Sequence, residues 1–107
     1  MKQIKFWQNL VEPILSGKKT VTWRLFDDKD LQVGDKLTFI VTETGVEFAR
    51  AIILAIREKK LGETTEVDFN GHEKYQSTED MLKQYRGYYG ERVTLETIVK
   101  IVSFKLL

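Results

Sequence analysis

The run Ala51-Ile52-Ile53-Leu54-Ala55-Ile56, inside the longer stretch Glu47 to Arg57, constrains the fold of this chain more than any other feature. Unbroken apolar character over a strand-length segment predicts a long strand buried on both faces. Glu43-Thr44-Gly45 just ahead of it reads as a hairpin turn, and Lys36 to Thr42 alternates well enough to be its partner strand. A hairpin of two long strands therefore occupies the middle of the sequence.

The rest of the chain arranges itself around that hairpin. Phe6 to Ser16 reads as a short helix, with Trp7, Leu10, Val11, Ile14 and Leu15 at helical spacing. Pro13 falls within it and should kink it or restart its last turn. Gly17 supplies the left-handed terminator of that helix. Lys19 to Arg24 follows as the first strand, then the charged loop Asp27-Asp28-Lys29-Asp30 and a turn at Gly34. Past the hairpin, Lys59 to Phe69 is polar and reads as a short helix or irregular crossing. Ser77 caps a helix with Glu79 and Asp80 in its first turn, where negative charge suits the dipole. Met81, Leu82, Tyr85, Tyr88 and Tyr89 form its apolar stripe, Gly90 closes it, and Thr97 to Leu106 is the closing strand. This order predicts an α+β arrangement: a small mixed β-barrel flanked by short helices.

At 107 residues the chain is expected to form one domain, residues 1–107, with no second core. Hydrophobic residues at 42% and charged residues at 31% fit a soluble globular protein rather than a disordered or membrane one. No apolar run approaches the roughly 18 residues needed to cross a bilayer. Behind Met1-Lys2-Gln3-Ile4-Lys5 there is no signal-peptide core, so a cytoplasmic location is expected. The absence of cysteine removes disulfides, thiolate nucleophiles and cysteine-ligated zinc. One histidine, His72, does not make a zinc site, and neither metal nor cofactor is expected. Net charge is +1, from 17 Lys+Arg against 16 Asp+Glu, which argues against tight, sequence-blind gripping of long RNA. It leaves a nucleoside or a short stretch of RNA open.

Chemistry concentrates at Ser16-Gly17-Lys18-Lys19-Thr20-Val21-Thr22-Trp23-Arg24. Here a helix-to-strand corner brings two ammonium groups, two hydroxyls and a guanidinium together, a set suited to an anionic or carbonyl ligand. The plainer reading is a solvated edge strand. Gly17-Lys18 is not a phosphate loop, because Glu12 stands where its first glycine belongs and Lys19 where Ser or Thr belongs. In a regular strand Lys19 and Thr22 would lie on opposite faces, so they meet only if Lys19 belongs to the corner.

Four segments in order resemble one family. They are Ile14 to Arg24 with its Gly-Lys-Lys-Thr core, Val33-Gly34-Asp35, Gly71-His72-Glu73-Lys74-Tyr75-Gln76-Ser77, and Tyr85-Arg86-Gly87-Tyr88-Tyr89-Gly90. The chain resembles the ASCH domain, a branch of the PUA-like β-barrel superfamily, over nearly its whole length. The resemblance implies a PUA-like barrel and an association with RNA or a modified nucleoside. Some small bacterial ASCH proteins hydrolyse N4-acetylcytidine to cytidine and acetate, using a lysine, a threonine and a glutamate. Carried across, these fall on Lys19, Thr22 and Glu73. Where many relatives have Glu-Gly, this chain has Asn70-Gly71.

Three functions follow from the same residues: an RNA- or nucleoside-associated domain with a polar cleft of Lys19, Thr22, Arg24 and Glu73, an N4-acetylcytidine amidohydrolase, or a non-catalytic interaction domain. A threonine hydroxyl needs a base, and a lysine serves only if burial or positive neighbours such as Lys18 and Arg24 lower its pKa. Lys19 is then either that base or a cation stabilising an oxyanion. Arg24 holds a phosphate or carbonyl oxygen, or else pairs with Asp27, Asp28 or Asp35. His72 is read as a surface or capping residue of its loop, with general acid as the second reading. It is grouped with Lys18, Arg24 and Tyr75 as a candidate substrate-binding residue. Tyr75, like the helix tyrosines and the two tryptophans, either stacks on a base or fills the core.

Overall fold

A computed structural model describes all residues, Met1–Leu107, and shows five strands in one mixed sheet. These are β1 (Lys2–Phe6), β2 (Val21–Leu25), β3 (Lys36–Val41), β4 (Glu47–Lys60) and β5 (Ile98–Leu106), in the order β1-β3-β4-β5-β2. β1 runs parallel to β3, and every other pairing is antiparallel. Two helices accompany the sheet, α1 (Val11–Leu15) and α2 (Thr78–Tyr89). The result is a five-stranded half-barrel with two helices, the α+β arrangement that the sequence predicts.

The central hairpin is present as β3 and β4, and β4 is longer than its apolar run indicates. Two-sided burial of that run is not observed. Ala51 and Ile53 are buried, whereas Leu54 is 54% exposed and Ala55 is exposed. The pairing with β5 shifts register between Ile53 and Ala55, so Leu54 is an extra residue on β4. Such a bulge bends the strand and turns its residue out of the core.

The amino-terminal segment differs from the helix expected over Phe6 to Ser16. Phe6 ends β1, Trp7 is extended, Gln8–Leu10 is a 3-10 turn, and α1 covers only Val11–Leu15. Tertiary pairing overrides the helical spacing. Ile4 and Phe6 are 1% and 3% exposed, and the Phe6 ring meets Phe39 edge-on at 4.8 Å. Pro13 sits in the first turn of α1, where its missing N–H deprives no carbonyl of a partner.

Two apolar clusters hold the fold. One lies inside the curved sheet around Ile4, Phe6, Leu37, Phe39, Ile53 and Phe104. The other packs β2 and β5 against α2, through Trp23, Leu25, Ile101, Met81 and Tyr85. α2 starts where Ser77 accepts a hydrogen bond from the Asp80 amide at 3.0 Å and ends at Gly90 with φ +93°. Between β4 and α2 the chain makes two 3-10 turns, Leu61–Glu63 and Glu66–Phe69, and the Leu61 side chain anchors the first of them in the core.

β1 and β2 are the two free edges of the sheet, and curvature brings them face to face. Arg24 on β2 donates to the Lys5 carbonyl on β1 at 3.2 Å, and its guanidinium lies 5.0 Å from the centre of the Phe6 ring. A side chain, not a backbone ladder, bridges the seam. No helix is long and apolar enough to cross a membrane.

Gly17 has φ +82° and ends α1 with open space where a Cβ would stand. Gly17→Val is therefore expected to cost about 1 kcal/mol or more through backbone strain alone. A urea midpoint equal to that of the parent would show the corner tolerates a side chain.

Candidate functional site

The corner after Gly17 sets the position of Lys19. Its amide donates to the Pro13 carbonyl at 2.9 Å, so it precedes β2 and escapes the alternation of that strand. The side chain turns inward and is 4% exposed. Its Nζ donates to the Val21 carbonyl at 2.8 Å and to Glu73 Oε2 at 2.7 Å. Thr22, also 4% exposed, lines the same cleft. The corner thus places Lys19 and Thr22 on one side despite their spacing.

Glu73 arrives from the other side of the cleft on a loop clamped to the start of β2. The Gly71 carbonyl accepts from the Thr20 amide at 2.8 Å and from the Val21 amide at 3.1 Å. Gly71 has φ +77°, and a Cβ there would run into the Thr20 hydroxyl. Only glycine serves where positive φ and close approach coincide. Upstream, Asp68 is 1% exposed and holds Arg57 at 2.7 Å, Lys59 at 2.8 Å and the Thr65 amide at 2.8 Å. Burial raises its pKa, but these donors outweigh it and bring it down to about 2. The segment carrying residues 71 to 73 is thereby fixed to β4 at one end and β2 at the other.

Burial lowers the pKa of Lys19, and Glu73 opposes that shift only in part. For Glu73 burial acts upward, yet the ammonium beside it prevails and the carboxyl stays below its usual range. His72 is 8% exposed and stacks on Trp23 at 4.5 Å between ring centres, so it is not the surface residue read from the sequence. Burial first, and Lys19 second, press its pKa down to about 4. Its Nδ1 lies 2.7 Å from the Glu73 carbonyl. A carbonyl only accepts, so Nδ1 carries the proton of the neutral ring. Nε2 then presents a lone pair 3.6 Å from Glu73 Oε1.

Arg24 shares the cleft, but pairs with none of the three aspartates considered for it. Asp27 is held by Lys100 at 2.8 Å and Asp35 by Lys2 at 2.7 Å. Tyr75 and Tyr85 form the aromatic wall, with their hydroxyls 3.1 Å apart and burial raising both pKa values. Tyr85 belongs to the core as well as the wall, whereas Tyr88 at 55% and Trp7 at 44% exposure stand at the mouth. Lys18 is exposed and does not line the cleft. Lys5 and Gln84 line it and were not singled out as site residues from the sequence. Lys5 comes with β1, whose only signal was the alternation of Ile4 and Phe6 with polar neighbours. The cleft encloses about 110 Å3. Drug-sized sites run to roughly 300–1,000 Å3, so this one encloses about one ring-sized group, and anything larger extends out through the mouth.

No family model and no curated sequence matches the chain. Solved structures do. The hypothetical protein PH0355 is 24% identical with a TM-score of 0.75, over 100% of both chains. Protein EF3133 from Enterococcus faecalis V583 is 13% identical with a TM-score of 0.77, over 100% of this chain and 80% of that one. An ASCH domain from Lactobacillus crispatus JV V101 is 13% identical with a TM-score of 0.73, over 98% and 79%. The chain has the ASCH fold, and identities this low speak to fold alone.

Two tests follow from this geometry. Gly71→Ala should destabilise the protein by about 1–3 kcal/mol, since strain and the collision with Thr20 act together. A urea midpoint unchanged from the parent would mean that the clamp does not hold the loop. His72 makes stability depend on pH. Unfolded, it titrates near 6.5, and folded near 4, so the unfolded chain binds more protons between these values. Stability is complete above about pH 6.5 and declines by up to about 3 kcal/mol as pH falls to 4. His72→Gln should flatten urea-denaturation stabilities across that window. A parent whose stability is already flat there would mean His72 is charged or solvated in the fold.

Proposed function

We propose that the cleft binds a modified pyrimidine nucleoside and hydrolyses an acyl group from its exocyclic nitrogen, as N4-acetylcytidine would require. The observation that carries this reading is the burial of Lys19 and Thr22 in the lining of one cleft, with Glu73 on the lysine. Two of the three positions around Nζ are taken by the Val21 carbonyl and Glu73. On giving up one proton the lysine still satisfies both with its two remaining N–H groups and frees a lone pair at the third position. Burial favours that form.

In this reading Thr22 Oγ1 attacks the acyl carbon as Lys19 takes its proton. The C–N bond then breaks, and the proton passes from Lys19 to the departing exocyclic nitrogen. Water attacks the Thr22 ester by the same route in reverse and releases acetate. Glu73 orients the lysine and sets its basicity. The tyrosines beside the cleft supply a face for the base.

A second reading, a non-catalytic module that takes one base of an RNA strand, draws support from the exposed Tyr88 and Trp7 at the mouth. Incubation with N4-acetylcytidine, followed by chromatography for cytidine, separates the two. A hydrolase releases cytidine. Thr22→Val and Lys19→Met should each lower turnover by about a hundredfold or more, and Glu73→Gln by less. A parent that leaves N4-acetylcytidine intact, but binds single-stranded RNA with affinity falling as salt rises, decides for the module.

A further inference from the structure

Arg24 is a cation without an anion. Its guanidinium carries five N–H donors, of which one reaches the Lys5 carbonyl at 3.2 Å. The Tyr89 oxygen lies beside it, and Nε is buried with no acceptor at all. No carboxylate stands within ion-pair distance. Arg24 is partly buried, and a charge withdrawn from water is ordinarily paired, because desolvation costs more than an unpaired site recovers. Burial lowers the pKa of this guanidinium, yet arginine remains charged at neutral pH. Of its three nitrogens only Nε is both buried and unpartnered, so the terminal nitrogens either bond Lys5 or reach the cleft surface.

The surroundings share this imbalance. Lys5, Lys19 and Arg24 line the cleft against one carboxylate, Glu73, which Lys19 already holds. His72 adds no charge near neutral pH. Lys5 is exposed on the same rim, and its backbone carbonyl is the group that Arg24 touches. The positive excess is therefore local to the seam between β1 and β2, in a chain whose overall charge is only +1.

We infer that this seam is a phosphate subsite, and that the ligand of the cleft is a pyrimidine nucleoside 5′-monophosphate rather than the bare nucleoside. The inference rests on reading the cleft as a nucleobase site. The base enters beside the tyrosines and Thr22, and the phosphate remains at the mouth. There Arg24 meets it with paired N–H groups and Lys5 with a point charge.

The test is calorimetric titration with cytidine and with cytidine 5′-monophosphate, at low and at physiological salt. The parent should bind the monophosphate about tenfold more tightly at low salt, with the advantage shrinking as salt rises. Arg24→Gln should bring the ratio of the two affinities close to one. Arg24→Lys should leave an intermediate ratio, since it keeps charge but loses the fork. A purely structural loss would weaken both ligands together and leave the ratio in place. Lys5→Gln, on an exposed side chain, should lower the ratio roughly twofold even if the Arg24 variants fail to fold.

Equal affinities in the parent overturn the subsite. So does a ratio that survives both Arg24→Gln and Lys5→Gln, or tighter binding of a short oligoribonucleotide that lacks a terminal phosphate. If N4-acetylcytidine survives incubation while the monophosphate is still preferred, the hydrolase reading falls and the subsite stands. If cytidine is released and the two ligands bind alike, the hydrolase reading stands and the subsite falls. Binding of neither ligand overturns the subsite, and release of cytidine from N4-acetylcytidine then decides the hydrolase reading by itself.

Discussion

One carbonyl oxygen organises the site. Gly71 accepts from two successive amides, Thr20 and Val21, at the point where the chain leaves the corner and begins β2. A strand start leaves N–H groups without a ladder partner, and a buried one would be costly. By supplying their acceptor, the loop satisfies β2 and fixes its own position in the same contact. The next two residues are His72 and Glu73, so backbone pairing alone delivers a carboxylate to Lys19 and a ring to the face of Trp23. The positive φ of Gly71 and its closeness to Thr20 are the conditions of that contact.

The cost of this arrangement falls on Lys19. An ammonium 4% exposed has given up most of its water, and a single half-exposed carboxylate replaces it only in part. Asp68 shows how the same chain stabilises a buried charge when stability is the only requirement: two cations and a backbone amide surround it. Its pKa falls to about 2, whereas that of Lys19 is displaced toward the neutral amine. A fold able to over-satisfy one buried charge leaves another under-satisfied, in a cleft beside a hydroxyl. Groups perturbed in this way gather where chemistry is done.

Much of this was legible in the residues, and the parts that were not have physical reasons. The β3–β4 hairpin, the Ser77 cap and the Gly90 stop are local signals, carried by turn and capping chemistry within a few residues. β1 was not, because a five-residue strand gains its stability from parallel pairing with β3, far along the chain (Lys2 opposite Leu37). The apolar positions of Phe6 to Leu15 fit a helix, and tertiary pairing overruled them. Exposure of Leu54 came from a bulge that only the partner strand defines. Lys19, Thr22 and Glu73 entered through family resemblance, and the corner that unites them followed from Gly17. The burial of His72 and the place of Lys5 depend on contacts across the fold, and no local pattern encodes those.

The missed strand also explains why the cleft lies where it does. A five-stranded sheet with β1 and β2 at its ends has two unpaired edges, which invite pairing with other chains unless they are covered. Curvature turns these edges toward each other without bringing them into backbone register, and Arg24 spans the gap to Lys5. A fully closed barrel would fill that gap with ladder hydrogen bonds and leave no opening. A flat sheet would leave both edges in solvent, with Thr22 far from any wall. The half-closed state keeps a narrow space between the two edges, roofed by the tyrosines of α2 and floored by the corner. Incomplete closure of the sheet is thus what creates the cleft, and the residues at its seam are the ones left with unused charge.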